Sequence, residues 1–206
     1  MSSIIAHGLG SLAVFEAAQK PAGLPPGWRG ALMGFGLGVV PDLDVLAMMA
    51  FPQVFTHRGP SHSLAFAWGL ALIIAWLLRH GRGARAWLKA WLALGLVLSV
   101  HPLLDYLMAC GPGVPFLWPW LETGWLAPVQ LVPTAYYAFS LRGLTGLLSH
   151  GPTIYGLYWE LVIFLPLLLL ALMFKKQGVS ARSLAMAVVL VCVSLAGVGQ
   201  VMVVYG

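Results

Sequence analysis

Apolar residues run along this chain in long blocks rather than in the one-sided stripes of a helix in a soluble protein. The blocks fall at about 4–19, 30–50, 62–78, 88–109, 154–174 and 183–205. Runs of this length predict helices that span, or nearly span, a bilayer. The expected fold is therefore all-α: a polytopic membrane helical bundle of about six transmembrane helices, in a single integral membrane domain over 1–206. The first block is short. It lacks a basic leader and carries Glu16 and Lys20 where a cleavage site would sit, so it reads as a retained helix, tilted or half-inserted, rather than a signal peptide. The 110–153 connection differs from the others, because Gly111, Pro112, Gly113, Pro115, Pro119 and Pro128 oppose a continuous helix. Trp118, Trp120 and Trp125 favour the headgroup level, so this stretch is expected to be an interfacial cover or re-entrant loop.

Composition removes the soluble alternative. Sixty per cent of the residues are hydrophobic and 8% charged, against roughly a quarter charged in an ordinary soluble domain. The net charge of +5 invites a nucleic-acid reading, but no basic patch with interleaved aromatics is present, and no nucleic-acid partner is expected. The basic residues are sorted instead. Lys20, Arg29, Arg79, Arg82, Arg85, Lys89, Lys175, Lys176 and Arg182 all fall in connections on one side, leaving only Arg58 and Arg142 on the other. By the positive-inside rule the first side is cytoplasmic, which puts both termini and the 51–61 and 110–153 connections outside. Cys110 and Cys192 have no paired spacing and read as small buried residues.

With the basic loops set aside, the remaining ionisable residues gather at the outer helix ends. His7 lies near the start of the first helix, Asp42 and Asp44 near the outer end of the second, and His57, Arg58 and His62 ahead of the third. His101 and Asp105 lie toward the outer end of the fourth. At about 1.5 Å per residue, Asp44 and His101 each stand roughly 20 Å above the cytoplasmic ends of their helices, so one common site is geometrically feasible. His101 and Asp105 share a helical face one turn apart. Taken alone, that pair fits a surface hydrogen bond equally well. Asp42 and Asp44 diverge on a regular helix but converge where Pro41 interrupts it, and two close carboxylates call for a cation. The blander reading has Asp42 capping a helix and Asp44 paired with Arg58. In His57-Arg58-Gly59-Pro60-Ser61-His62-Ser63, Ser61 or His62 can cap the next helix, where Arg58 and exposed N–H groups would favour an anion.

Four histidines and three aspartates without a thiolate form a nitrogen and oxygen set. It suits Zn²⁺ first, with Mn²⁺ or Fe²⁺ as alternatives, as one or two ions. Asp42, Asp44, His62, His101 and Asp105 are the expected metal ligands, His7 and His57 ligands or acid–base groups, and Arg58 the oxyanion stabiliser. Glu160 is expected behind the ligands or as a proton shuttle, Glu16 as the i+4 partner of Lys20, and His80 and His150 as solvated.

These segments resemble the YdjM-like family of inner-membrane proteins described as metal-dependent hydrolases. The resemblance rests on His7, Gly38-Val39-Val40-Pro41-Asp42-Leu43-Asp44, the His57–Ser63 segment, His101-Pro102-Leu103-Leu104-Asp105 and the Gly111 to Pro119 stretch, covering about the first 120 residues. Pro60 and Pro102 depart from the family pattern without removing a candidate ligand. The resemblance implies a bacterial or archaeal cytoplasmic (inner) membrane hydrolase. Its metal-site motifs fall within 1–109 and the additional helices within 154–206. The expected function is hydrolysis of a lipid or lipid-linked substrate at the outer leaflet, with phosphoester cleavage first. Ester or amide cleavage of the ceramidase kind is the alternative, and a metal transporter or sensor the alternative from another class.

Overall fold

The computed structural model describes residues 3–51, 57–79, 83–109, 111–132, 146, 150–177 and 181–205. His80, Arg82, Cys110, Arg142 and most of 133–149 lie outside the described residues. All six expected helices are present. They are α1 (Ile4–Ala22), α2 (Gly27–Val39) continued through a 3-10 turn (Val40–Leu43) into α3 (Asp44–Ala50), α4 (Leu64–Arg79), α5 (Ala84–Leu107), α6 (Gly151–Gln177) and α7 (Ala181–Tyr205). Three stretches, Gly27–Ala50, Ala84–Leu107 and Gly151–Lys176, are long and apolar enough to cross a membrane, and Leu64–Leu78 and Ala185–Gln200 are shorter apolar helices. Large apolar side chains such as Ile73, Trp76, Leu96, Leu103 and Leu195 point outward, the surface that a lipid solvent favours.

The first helix is enclosed by its neighbours. It packs against α2, α5 and α6 and so occupies the middle of the bundle, while α7 packs on α6. Position explains composition: the polar residues of α1 are tolerated because neighbouring helices shield them from lipid. Ser3 caps the helix by accepting from the N–H groups of Ile5 at 3.1 Å and Ala6 at 3.3 Å. Gly23 ends it in the left-handed conformation, φ 62°. Ser11 donates to Val97 O at 3.1 Å. Glu16 does not pair with Lys20. It meets Lys175 of α6, so its charge is neutralised between helices rather than along its own. Glu160 accepts from the amide and hydroxyl of Ser3, which fastens α6 to the start of α1 four residues ahead of His7.

Small residues let α2 approach α1. Gly30, Gly34 and Gly38 recur every fourth residue, and a Cβ at Gly34 would lie 2.7 Å from Phe15 Cβ. One at Gly38 would overlap His7 O and come within 2.6 Å of Ser11 Oγ. Such small-xxx-small contacts hold helices together in a solvent that supplies no hydrophobic drive between them. Below this contact, Phe15, Leu94, Val97 and Leu98 form a fully buried apolar layer with Ala71 and Ala75 of α4.

The part of the 110–153 connection that is described, 111–132, forms a cover over one end of the bundle. Val114 and Trp125 exchange backbone hydrogen bonds of 2.8 and 2.9 Å, Phe116 O accepts from Leu64 N, and Tyr106 O and Leu107 O accept from Ala127 N and Leu131 N. The cover is thereby tied to the start of α4 and the end of α5. Cys192 is exposed on α7, against the expectation that it is buried, because α7 turns that face away from α6.

The glycine contact predicts an asymmetry. Gly38→Ala should lower stability by about 1–3 kcal/mol through overpacking. Gly36→Ala has open space within 4 Å and should be neutral or stabilising by up to about 1 kcal/mol. Thermal unfolding in detergent micelles compares the two.

Candidate metal centre

Pro41 is the reason two carboxylates reach one place. It opens the 3-10 turn after α2, which carries Asp42 and hands Asp44 to the first position of α3. Arg58 adopts a left-handed backbone, φ 61°, before Gly59 and Pro60. Pro60 then starts a second 3-10 turn that ends at His62. Neither Ser61 nor His62 caps α4. Ser63 does, its hydroxyl accepting from Phe66 N at 3.0 Å while donating to Pro60 O at 2.7 Å, so the turn and the helix are locked together. From α5, His101 and Asp105 face inward, both fully buried.

All eight residues singled out from the sequence meet in one network at this end of the bundle. Its centre is made of acceptors. His101 Nδ1 lies 2.6 Å from Gly38 O. A carbonyl can only accept, so Nδ1 carries the proton and Nε2 presents a lone pair. Ser61 donates its hydroxyl to Asp44 Oδ2 at 2.9 Å and accepts from His62 Nδ1 at 3.0 Å, which again leaves Nε2 as the lone-pair nitrogen. The two Nε2 atoms are 3.0 Å apart. Asp42 Oδ1 lies 3.6 Å from His62 Nε2 and 3.5 Å from His101 Nε2, and Asp105 Oδ2 lies 3.3 and 3.7 Å from the same atoms. Both of these oxygens are buried and have no hydrogen-bond partner.

Four acceptors around one point repel unless a cation sits among them. Ligands about 2.0–2.1 Å from a tetrahedral ion lie about 3.3 Å apart, and five of the six separations among these atoms run from 3.0 to 3.7 Å. The charge count agrees. Asp42, Asp44 and Asp105 contribute −3 and Arg58 +1, a sum of −2 that a divalent ion cancels. Without an ion, a proton does part of this work at His62, which lies in the connection ahead of α4. Burial alone would lower its pKa, but the carboxylates of Asp105, Asp42 and Asp44 around it raise it to about 10. The residues present therefore fit a Zn²⁺-like ion, with Asp42, His62, His101 and Asp105 as the ligand set. Among the described residues, His7, His101 and Asp105, and Asp42, His57 and His62, are two groups whose ligand atoms all lie within 4.8 Å of one another.

Three expected roles change. Asp44 does not contribute to the four-atom point, because its oxygens are taken by His57 Nδ1 at 2.9 Å, Ser61 and His62 Nδ1 at 3.3 Å. It stands behind His62 as the carboxylate that orients a ligating imidazole. Arg58 pairs with neither Asp44 nor an open anion site. Its NH2 donates to Asp105 Oδ1 at 3.2 Å and its NH1 to Pro112 O at 2.7 Å. His7 stacks on His101 with ring centroids 3.7 Å apart and reaches Asp105 Oδ1 at 3.4 Å, so it braces two of the candidate ligands. The side chains of His7, His62, His101 and Asp105 are wholly buried, whereas Asp42, Asp44 and His57 are 8–9% exposed. The centre reaches the surface on the α3 side. Sequence reasoning missed Gly38 O and Pro112 O, and gave Ser61 a capping role in place of the bond it donates to Asp44. Only the Gly30, Gly34, Gly38 spacing signalled any of them.

Residues 1–179 match the family described as YdjM inner membrane protein, a span that takes in the whole centre and ends before α7. Over 151 residues the chain is 38% identical to the inner membrane protein YbcI of Escherichia coli (strain K12), covering 71% of this chain and 82% of that protein. No solved structure matches.

Metal binding should appear as stability. Zn²⁺ at a hundred times its Kd should stabilise the purified protein by about 2.7 kcal/mol. His101→Ala should abolish that gain, and Asp44→Ala should require tenfold or more additional Zn²⁺ to reach it. Melting curves over a Zn²⁺ titration measure both.

Proposed function

The chain belongs to the YdjM inner membrane protein family, and from that premise we propose that it is a membrane-embedded, metal-dependent hydrolase acting on a lipid or lipid-linked phosphoester. One observation carries the reading: four buried acceptor atoms with five of their six separations between 3.0 and 3.7 Å, two of them carboxylate oxygens with no hydrogen bond. Asp42, His62, His101 and Asp105 would hold the ion. With one of these four giving way to water, or a fifth position open to it, a divalent cation would supply Lewis acidity and a water of lowered pKa.

The chain's own groups then divide the work. His57 is the proton carrier, because Asp44 accepts from its Nδ1 at 2.9 Å and fixes the ring at the side where the centre meets the surface. Asp44 and Ser61 hold His62 in the ligating tautomer. His7 and Arg58 keep Asp105 turned so that Oδ2 faces the imidazoles. The lipid substrate is supported by the setting. Leu43, Leu46 and Met49 are exposed beside Asp42 and Asp44, and Trp120 and Trp125 are exposed on the cover, so apolar chains and a headgroup would each find a matching surface. The sorting of basic residues to the far ends of the helices supports placing the centre at the extracytoplasmic leaflet. Arg58, the residue expected to meet phosphate, is committed to Asp105 and Pro112. That observation favours ester or amide cleavage as the second reading.

Incubation of the protein in nanodiscs with a panel of phospholipids and lipid-linked phosphates, read by mass spectrometry, tests the reaction. Headgroup loss should stop with chelator and return with Zn²⁺. His57→Ala should lower kcat about 100-fold or more while bound metal stays constant, whereas His101→Ala should lose both. Turnover unaffected by chelator overturns the reading, and fatty-acid release in place of headgroup loss selects the second one. A Trp120→Cys variant lacking the two native cysteines should react with an impermeant maleimide from the extracytoplasmic side only.

A further inference from the structure

Arg58 is the residue where the metal centre and the cover meet. It is buried, its backbone sits in the left-handed region at φ 61°, and its guanidinium divides between two acceptors. NH2 donates to Asp105 Oδ1 at 3.2 Å and NH1 to Pro112 O at 2.7 Å. A non-glycine residue at this φ costs about 1–3 kcal/mol and persists only where its surroundings over-determine it. Here the planar fork supplies that determination, since a single ammonium could not serve a carboxylate and a peptide carbonyl in two directions. Gly111 completes the fit. At φ 75° it passes the guanidinium closely enough that a Cβ would lie 3.4 Å from Arg58 NH1.

Extending the metal reading above, we propose that Arg58 is a positioning residue that couples the 111–132 cover to the metal-facing side of Asp105. A carboxylate has two oxygens and can turn. With Oδ1 held by Arg58 and braced by His7, Oδ2 is aimed at His62 and His101. The same guanidinium holds the first residues of the cover, and the residues after Asp105 hold its far end: Tyr106 O and Leu107 O accept from Ala127 N and Leu131 N. A shift of the cover is therefore transmitted to Asp105 at both ends. By linkage, an ion that draws on Oδ2 tightens the cover, and a loosened cover weakens the ion's site.

Arg58→Gly tests this with little backbone penalty, because glycine adopts φ 61° without strain. Two readouts apply, neither needing turnover: Co²⁺ affinity with its tetrahedral absorption band, and amide exchange at Val114 and Trp125 with and without Zn²⁺. In the unaltered protein, Zn²⁺ should slow exchange in the cover. In Arg58→Gly, Co²⁺ affinity should fall about 10- to 100-fold, the size of loss typical when a partner behind a ligand is removed. Cover exchange should rise and cease to respond to Zn²⁺. Millimolar ethylguanidinium should restore both readouts together. Co²⁺ affinity within twofold of the unaltered protein overturns the coupling. So does a cover that loosens while the absorption band is unchanged, or rescue of one readout without the other. Should Arg58→Gly fail to fold, the unaltered protein still decides: cover exchange that ignores Zn²⁺ at saturating metal overturns the coupling alone. Failure of the unaltered protein to bind Co²⁺ overturns the metal reading, and the coupling with it.

Discussion

Charge buried in a lipid-facing bundle is the constraint on which the rest of this structure depends. Asp105 is wholly enclosed, Asp42 nearly so, and each keeps one oxygen without a hydrogen bond. An isolated carboxylate in such surroundings costs several kcal/mol, so it must be paired, protonated or bound to a cation. Every other feature of this end of the molecule serves that need. The two 3-10 turns deliver Asp42 and His62, the glycines of α2 bring Gly38 O to His101, and Arg58 takes one oxygen of Asp105. The polar first helix lies in the centre because only there can His7, Ser11 and Glu16 avoid lipid.

Much of this is legible in the sequence, and the reason is the solvent. Lipid forbids unpaired polar backbone, so helices follow from apolar length, and all six fall where the blocks of residues predict them. Lipid also makes each ionisable residue expensive, which is why eight residues chosen for type and depth prove to share one network. Pairings are another matter. Arg58 with Asp105 and Glu16 with Lys175 join residues 47 and 159 positions apart. Nothing local distinguishes those partners from Asp44 or Lys20. Which helix lies inside the bundle is equally hidden, because a polar helix reads as peripheral until the helices that shield it are known. Asp44 shows the finest limit. Its spacing from Asp42 suits ligation, but the hydroxyl of Ser61 and the imidazole of His57 claim its oxygens first.

The division between the two carboxylates of the second helix has a chemical use. Asp42 points an unshared oxygen at the two Nε2 atoms, while Asp44 holds the Nδ1 sides of His57 and His62. One acid thus faces the two Nε2 atoms and the other the Nδ1 sides of the imidazoles. A carboxylate behind a ligating histidine fixes its tautomer and raises its basicity, and a carboxylate behind a peripheral histidine keeps that ring oriented for proton transfer. In the proposed reaction Asp44 would do both at once, since it contacts His57 and His62 together.

The same layout argues against an ion conduit. A pathway needs polar side chains through the depth of the membrane, or broken helices near its middle. Here α2 does break at Pro41, near the middle of Gly27–Ala50, but the layer beneath the break is closed. Nine residues separate His7 from Glu16, about 13 Å along α1. Among the described residues, the layer between them is filled by Phe15, Leu94, Val97 and Leu98, none of them exposed. Ser11, the polar residue at that depth on α1, is bonded to Val97 O. At the far end, Glu16 is closed off by Lys175. A cation reaching the centre would thus meet ligands on one side and a sealed apolar layer on the other.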